Sequence, residues 1–183
     1  MQNSRLALPN YESVKHLEGT GNYAVDRYYK WPFSFFYQKK LRMILDLMNG
    51  RLYDNLLDYG AGPANMFGAE LEKHCLRLVS YDISSVMNKD WRFSAIVCAS
   101  VLEFMEDPCI TLNLLDSILK PEGHIYIASP MATLLTELYF KLIGDEKFRW
   151  PHLHIKNYVE YRFVIDDYKE WNGLYFAIKA HKK

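Results

Sequence analysis

Asp58-Tyr59-Gly60-Ala61-Gly62-Pro63-Ala64 is the segment whose residue types and spacing best suit chemistry. Two glycines one residue apart let the backbone turn tightly and let a ligand lie against it. An acid at the end of the preceding apolar run can accept a hydrogen bond from an amine or a hydroxyl. A helix after the turn would point its leading N–H groups at the same place. Asp82 follows 24 residues later, at the end of a second apolar run. An acid there can take the two ribose hydroxyls of a nucleoside. Ala99-Ser100-Val101-Leu102-Glu103-Phe104 follows a third run, and Leu119-Lys120-Pro121-Glu122-Gly123 introduces a fourth.

These runs define the elements that must position such a site. Strands are expected at 55–58, 76–82, 95–100 and 124–128, with helices at 65–73, 111–119 and 131–143. Val-, Ile- and Leu-rich strands alternating with helices are the pattern of a parallel sheet covered on both faces. Ahead of them, Phe36, Leu41, Ile44, Leu45 and Met48 share one face of a predicted helix over 34–48. Ser34 would cap this helix and Asn49-Gly50 would end it. Beyond them, 158–165 and 174–180 read as two strands joined by DDYKEWNG. That link is too short for a crossover helix, so the pair is expected to be an antiparallel hairpin. Residues 1–33 read as an N-terminal arm or lid and 34–183 as one domain.

The composition excludes several classes. The chain has 183 residues, half of them hydrophobic, which lies far from disorder and within the size of one domain. Twenty-two basic residues balance twenty-two acidic ones, so no global field draws it onto nucleic acid or an anionic membrane. Three cysteines, Cys75, Cys98 and Cys109, form no zinc-spaced cluster and read as free thiols in a reducing compartment; no metal is expected. No signal peptide and no membrane-length apolar run is seen, so the expected location is cytoplasmic.

Taken in order, residues 54–130 resemble the class I S-adenosylmethionine-dependent methyltransferases, in their type 11-like, small-molecule branch. LLDYGAGPAN is similar to the family's acid-x-Gly-x-Gly motif, VSYDIS to its ribose-binding strand end, AIVCASVLEFMEDP to its fourth-strand motif and LKPEGHIYIASP to its "LkpGG" motif. The resemblance implies a Rossmann-like α/β three-layer sandwich, mostly parallel, with an antiparallel C-terminal hairpin. It implies S-adenosylmethionine as cofactor, S-adenosylhomocysteine as product, and cofactor contacts from Asp58, Gly60, Ala61, Gly62, Asp82, Ile83 and Ser100. The activity implied is SN2 methyl transfer to a small molecule, in which the protein aligns acceptor and cofactor. A nicotinamide domain fits less well. Asn65 stands where its fingerprint wants Gly or Ala, and Asp58 would repel a pyrophosphate.

The chain also departs from the family. Only twelve residues separate Asp82 from Ala95. A βαβ unit needs about 30 or more, so the family's third strand cannot fit. The expected strand order is 2-1-4-5-7-6, with the second strand at an edge. The alternative this opens is a shortened, non-catalytic binding module or a homodimer through that edge. Trp91 could stack on the adenine there or simply cover core. Tyr23 and Tyr29 belong to an aromatic cluster that could fold over the cofactor and, with aromatics at the other substrate-facing end, suggest an aromatic or apolar acceptor. His152 and His154 are the candidates for a catalytic base, sharing one face if the segment is extended. Arg27, Lys30, Lys39, Lys40 and Arg42 would suit an anionic acceptor or form a solvated helix face.

Overall fold

The computed structural model describes residues 33–62, 65–82, 90–143 and 152–183. Helix α1 (Phe33–Met48) buries Leu41, Met43, Ile44, Leu47 and Met48. It starts one residue before Ser34, so that serine lies inside the first turn. It ends where Asn49 and Gly50 turn left-handed at φ 51° and 70°, which closes the helix at low steric cost. Strands β1 (Tyr53–Tyr59), β2 (Cys75–Tyr81), β3 (Phe93–Ala99) and β4 (Leu119–Pro130) follow. The chain closes with β5 (Phe163–Trp171) and β6 (Tyr175–Lys182).

The six strands form one sheet in the order β2-β1-β3-β4-β6-β5. Pairs β1/β2, β1/β3 and β3/β4 are parallel, while β6 runs antiparallel to both β4 and β5. This is the order expected once the family's third strand is removed. β2 is one edge and β5 the other, and Leu76 of β2 is 75% exposed.

Strand alternation sorts the core into two layers. On one face Leu56, Ala95, Val97, Tyr126 and Tyr175 pack with α1 and with Tyr139 and Phe140 of α4 (Leu134–Ile143). On the other Leu57, Ile96, Cys98, Ile127 and Phe176 pack with α3 (Pro108–Ile118) and α5 (His152–Arg162). Fully burying each of the Leu, Ile, Val and Phe side chains contributes roughly 1.5–3 kcal/mol. Asp107 starts α3, its carboxylate accepting from the Cys109 N–H at 2.8 Å with Pro108 in the first turn.

Three expectations change. The helix expected over 65–73 shrinks to α2 (Gly68–Leu71) and a 3-10 turn, Glu72–His74. The strand expected from Tyr158 begins only at Phe163. Ile155 and Val159, four apart and both buried, keep the preceding residues helical so that one face meets the core. β5 therefore absorbs most of DDYKEWNG, leaving a turn at Asn172, Gly173 and Leu174. The turn expected at 120–123 is a bulge within β4, because Phe93 pairs with Leu119 but Ala95 pairs with His124.

Candidate functional site

Asp58 sits next to last in β1 and faces the α1 layer, alternating with Leu57 and Tyr59. It is 3% exposed, and its Oδ2 has no hydrogen-bond partner among the described residues. Burial alone pushes its carboxyl up to about 7. The chain then turns left-handed at Gly60 (φ 80°) and Gly62 (φ 67°). The Gly60 and Ala61 N–H groups both donate to the Tyr81 carbonyl, at 2.8 and 3.1 Å. These bonds tie the glycine turn to the end of β2 and bring Asp82, half-buried, alongside it. A Cβ on Gly60 would lie 2.2 Å from Val101 Cγ2, so glycine here serves close packing as well as conformation.

The short helix changes one expectation. The Asn65 N–H bonds the Gly62 carbonyl, and the Gly68 N–H bonds the Asn65 carbonyl. These two N–H groups are used within the turn, so neither is left to meet a ligand.

Beside the glycine turn stands a second buried polar group. Ser100 follows β3 at φ 55°, and its N–H bonds the Ala128 carbonyl at 2.8 Å. Its Oγ accepts from Lys40 Nζ at 2.5 Å. Lys40 is 1% exposed, so the solvated-face reading fails for it; Lys39 keeps its ammonium 6.0 Å from the Trp171 ring. The Lys40 ammonium lies over the rings of Tyr37 (4.3 Å) and Tyr175 (5.3 Å). Glu103, in the 3-10 turn Leu102–Phe104, is also 1% exposed. Its Oε2 accepts from Ser129 Oγ at 3.0 Å, and its Oε1 has no hydrogen-bond partner among the described residues. Burial raises this carboxyl, with its own backbone N–H, Lys40, Ser129 and Ser100 opposing. The Cys98 thiol is pushed up by burial first and then by both Glu103 and Asp58.

Sequence reasoning named Lys40 only as one of five basic residues suited to an anionic acceptor or a solvated face, and gave Glu103 no role of its own. Each had a signal. Lys40 stands four residues from both Phe36 and Ile44, in the middle of an apolar stripe, and Glu103 interrupts the apolar run VLEFM directly after a strand.

Other candidates fall elsewhere. Trp91 lies before β3, at the opposite end of the sheet from the glycine turn. The register puts Phe93 level with Asp54, four residues or ~13 Å of strand from Asp58. There Trp91 meets Phe93 edge-on at 5.9 Å and, with Asn55, Arg77 and Val79, lines a cavity of about 50 Å³. It covers core and is too far away to stack on a base held at the glycine turn. His152 and His154 lie on a helix instead of an extended segment, where positions two apart diverge by about 200°. The shared face that would have made them a pair is lost, and His154 is exposed. Tyr23, Tyr29, Arg27, Lys30 and Ile83 lie outside the described residues. Among the described residues, no three His, Cys, Asp or Glu side chains group to hold a metal, and no helix is long and apolar enough to cross a membrane.

The amino-terminal end of the sheet carries a polar cluster of its own. His181 Nδ1 meets Asp166 Oδ1 at 2.7 Å, and His124 Nε2 lies 4.0 Å from Asp166 Oδ2. Arg51 reaches the His124 ring at 3.4 Å, and the Tyr53 and Tyr126 hydroxyls bond each other.

A six-stranded sheet with one antiparallel strand and an acid-glycine turn at its carboxyl edge defines a Rossmann-like methyltransferase architecture. The chain belongs to the methyltransferase-domain family, whose profile matches residues 27–171. No curated protein sequence matches it. Solved structures do. N-methyltransferase NodS from Bradyrhizobium japonicum WM9, in complex with S-adenosyl-l-homocysteine, is 15% identical with a TM-score of 0.62, covering 94% of this chain and 97% of NodS. PH0226 protein from Pyrococcus horikoshii OT3 is 12% identical with a TM-score of 0.63, covering 83% and 92%. Human N-acetylserotonin methyltransferase, in complex with SAM, is 16% identical with a TM-score of 0.61, covering 80% of this chain and 52% of the human one. At these identities the likeness establishes the fold.

Proposed function

We propose that this methyltransferase uses S-adenosylmethionine to methylate a small molecule. The observation that carries the reading is Asp58 Oδ2, a buried carboxylate oxygen without a donor among the described residues, beside a left-handed glycine turn. An unpaired buried charge is unfavourable by several kcal/mol unless something supplies a partner. An α-ammonium supplies one, and a pyrophosphate would not.

The residues fit the cofactor. Asp58 would hold its ammonium and Asp82 its ribose hydroxyls. The turn at Gly60, Ala61 and Gly62, with Ser100 beyond it, would form the wall against which it lies. When bound, S-adenosylmethionine supplies an electrophilic methyl carbon on a sulfonium. The protein's part is to align a nucleophile with that carbon and keep water away. The aromatic side chains around α1 support an aromatic or apolar acceptor: Phe36 packs on Tyr139 at 4.5 Å and on Trp171 at 5.7 Å. One of the similar structures, human N-acetylserotonin methyltransferase, is named for a small-molecule acceptor.

Calorimetry with S-adenosylhomocysteine tests this directly. Wild type should bind, and Asp82→Ala should weaken binding by about tenfold, the worth of a lost charge-assisted hydrogen bond. No heat at millimolar ligand would sink the reading, and so would an Asp82→Ala variant that binds like wild type.

A further inference from the structure

Glu103 is the buried acid that the cofactor reading leaves over. Two carboxylates at this end of the sheet each carry an oxygen without a hydrogen-bond donor among the described residues, Asp58 Oδ2 and Glu103 Oε1. The cofactor has one ammonium, which matches one of them. Leaving the other unmatched is costly, since an unsatisfied buried charged group loses more than an ordinary hydrogen bond returns. The protein compensates Glu103 through its own backbone N–H, Lys40, Ser129 and Ser100, yet Oε1 has no hydrogen-bond partner among the described residues. Ser129 holds Oε2, and Lys40, tethered by Ser100, supplies a nearby cation. The turn that carries Glu103 touches the glycine turn, since Val101 fills the space where a Gly60 side chain would stand. Ser129 sits near the end of β4 and Ser100 just past β3, so the cluster occupies the carboxyl edge between two parallel strands. Ligands of open α/β sheets bind at that edge.

We infer that Glu103 Oε1 receives an N–H of the methyl acceptor and that the acceptor is a small amine. The inference rests on the methyl-transfer reading above. An amine is favoured over an alcohol because a cationic donor gains most from an unpaired carboxylate in a low-dielectric site. Glu103 Oε1 first takes a proton from the bound ammonium, which frees the nitrogen lone pair. That lone pair forms the new N–C bond while the C–S bond breaks and its electron pair stays on sulfur; the methylated amine leaves as its ammonium, and Glu103 returns its proton to solvent. Lys40 is a positioning residue: through Ser100 and its charge it holds the carboxyl ready to accept.

The test uses protein saturated with S-adenosylhomocysteine, titrated calorimetrically with benzylamine and, separately, with benzyl alcohol. Wild type should bind benzylamine at least about tenfold more tightly than benzyl alcohol, and this preference should fade as pH falls below about 7 and Glu103 takes up a proton. Glu103→Gln, nearly identical in volume, should lose the preference while binding S-adenosylhomocysteine within about twofold of wild type. A carboxyl that only braces the fold would leave probe preference and its pH profile unmoved. Equal affinity for the two probes, no binding of either, or an unchanged preference in Glu103→Gln overturns the inference. Should Glu103→Gln fail to fold, the two probes and the pH series on wild type still decide it. Failure to bind S-adenosylhomocysteine would instead remove the methyl-transfer reading itself, so the two failures are distinguishable.

Discussion

The same strands carry a polar cluster at each end, and the two clusters are built differently. At the amino end, Arg51, His124, Asp166 and His181 pair among themselves, partly in solvent, and the Tyr53 and Tyr126 hydroxyls satisfy each other. At the carboxyl end, Asp58, Lys40 and Glu103 are almost wholly buried, and two carboxylate oxygens are left without donors among the described residues. Burial without water raises the cost of every unmet hydrogen bond. The satisfied cluster is explained by the chain alone; the unsatisfied one is where we propose that cofactor and acceptor bind.

Asp58→Asn should produce the largest change. Asp58 titrates near 7 folded and near 3.8 when exposed, so the folded state binds more protons between those values. Its contribution to stability is greatest below about pH 4, declines as pH rises to 7, and is flat above; the full span is on the order of 4 kcal/mol. Denaturant titrations of apoprotein from about pH 4 to 8 should show this descent, and the Asp58→Asn protein should show a shallower one, because Glu103, also raised to about 7, still titrates there. The same variant should bind S-adenosylhomocysteine about 10–100-fold more weakly. A stable variant with the wild-type pH profile, or with wild-type affinity, would break the contrast.

Gly60→Ala comes next, at about 3 kcal/mol, from a left-handed φ and a collision with Val101. Adding Val101→Ala should recover the steric part and leave about 1 kcal/mol of backbone strain, measured by thermal unfolding. Lys40→Met should lose about 2 kcal/mol at about pH 8, because Glu103 is left without its cation. The loss should shrink below about pH 7, where a protonated Glu103 needs no cation. Asp166→Asn should be the mildest, at or under about 1 kcal/mol, with cofactor affinity unchanged. An affinity loss in that variant would mean that the two ends are not independent.

Much of this is legible in the amino-acid sequence. The twelve residues between Asp82 and Ala95 leave no room for a strand and its helices, and the sheet order follows from that shortage. The acid-glycine turn is readable because only a few residue types tolerate such a backbone. Less is legible where a residue's environment overrides its type. YVEYRFVI looks like a strand because β-branched and aromatic residues favour one, yet Ile155 and Val159 draw its first half into a helix. Lysine normally means solvent, so the role of Lys40 emerges only where α1 presses it between Tyr37 and Tyr175. The histidine pair fails for the same reason that strand fails, since its shared face depended on extended backbone.

Ser100 makes two opposed demands on one position. Its φ of 55° is a conformation that glycine adopts freely and serine does not. A glycine there would relax the backbone but cut the tether on the Lys40 ammonium. Serine thus keeps a hydroxyl at the expense of conformational ease, and the bond it gives a buried ammonium offsets that strain. Retention of serine in active variants would mark the position as one governed by chemistry, where the fold accepts a less comfortable backbone to keep a buried cation in place.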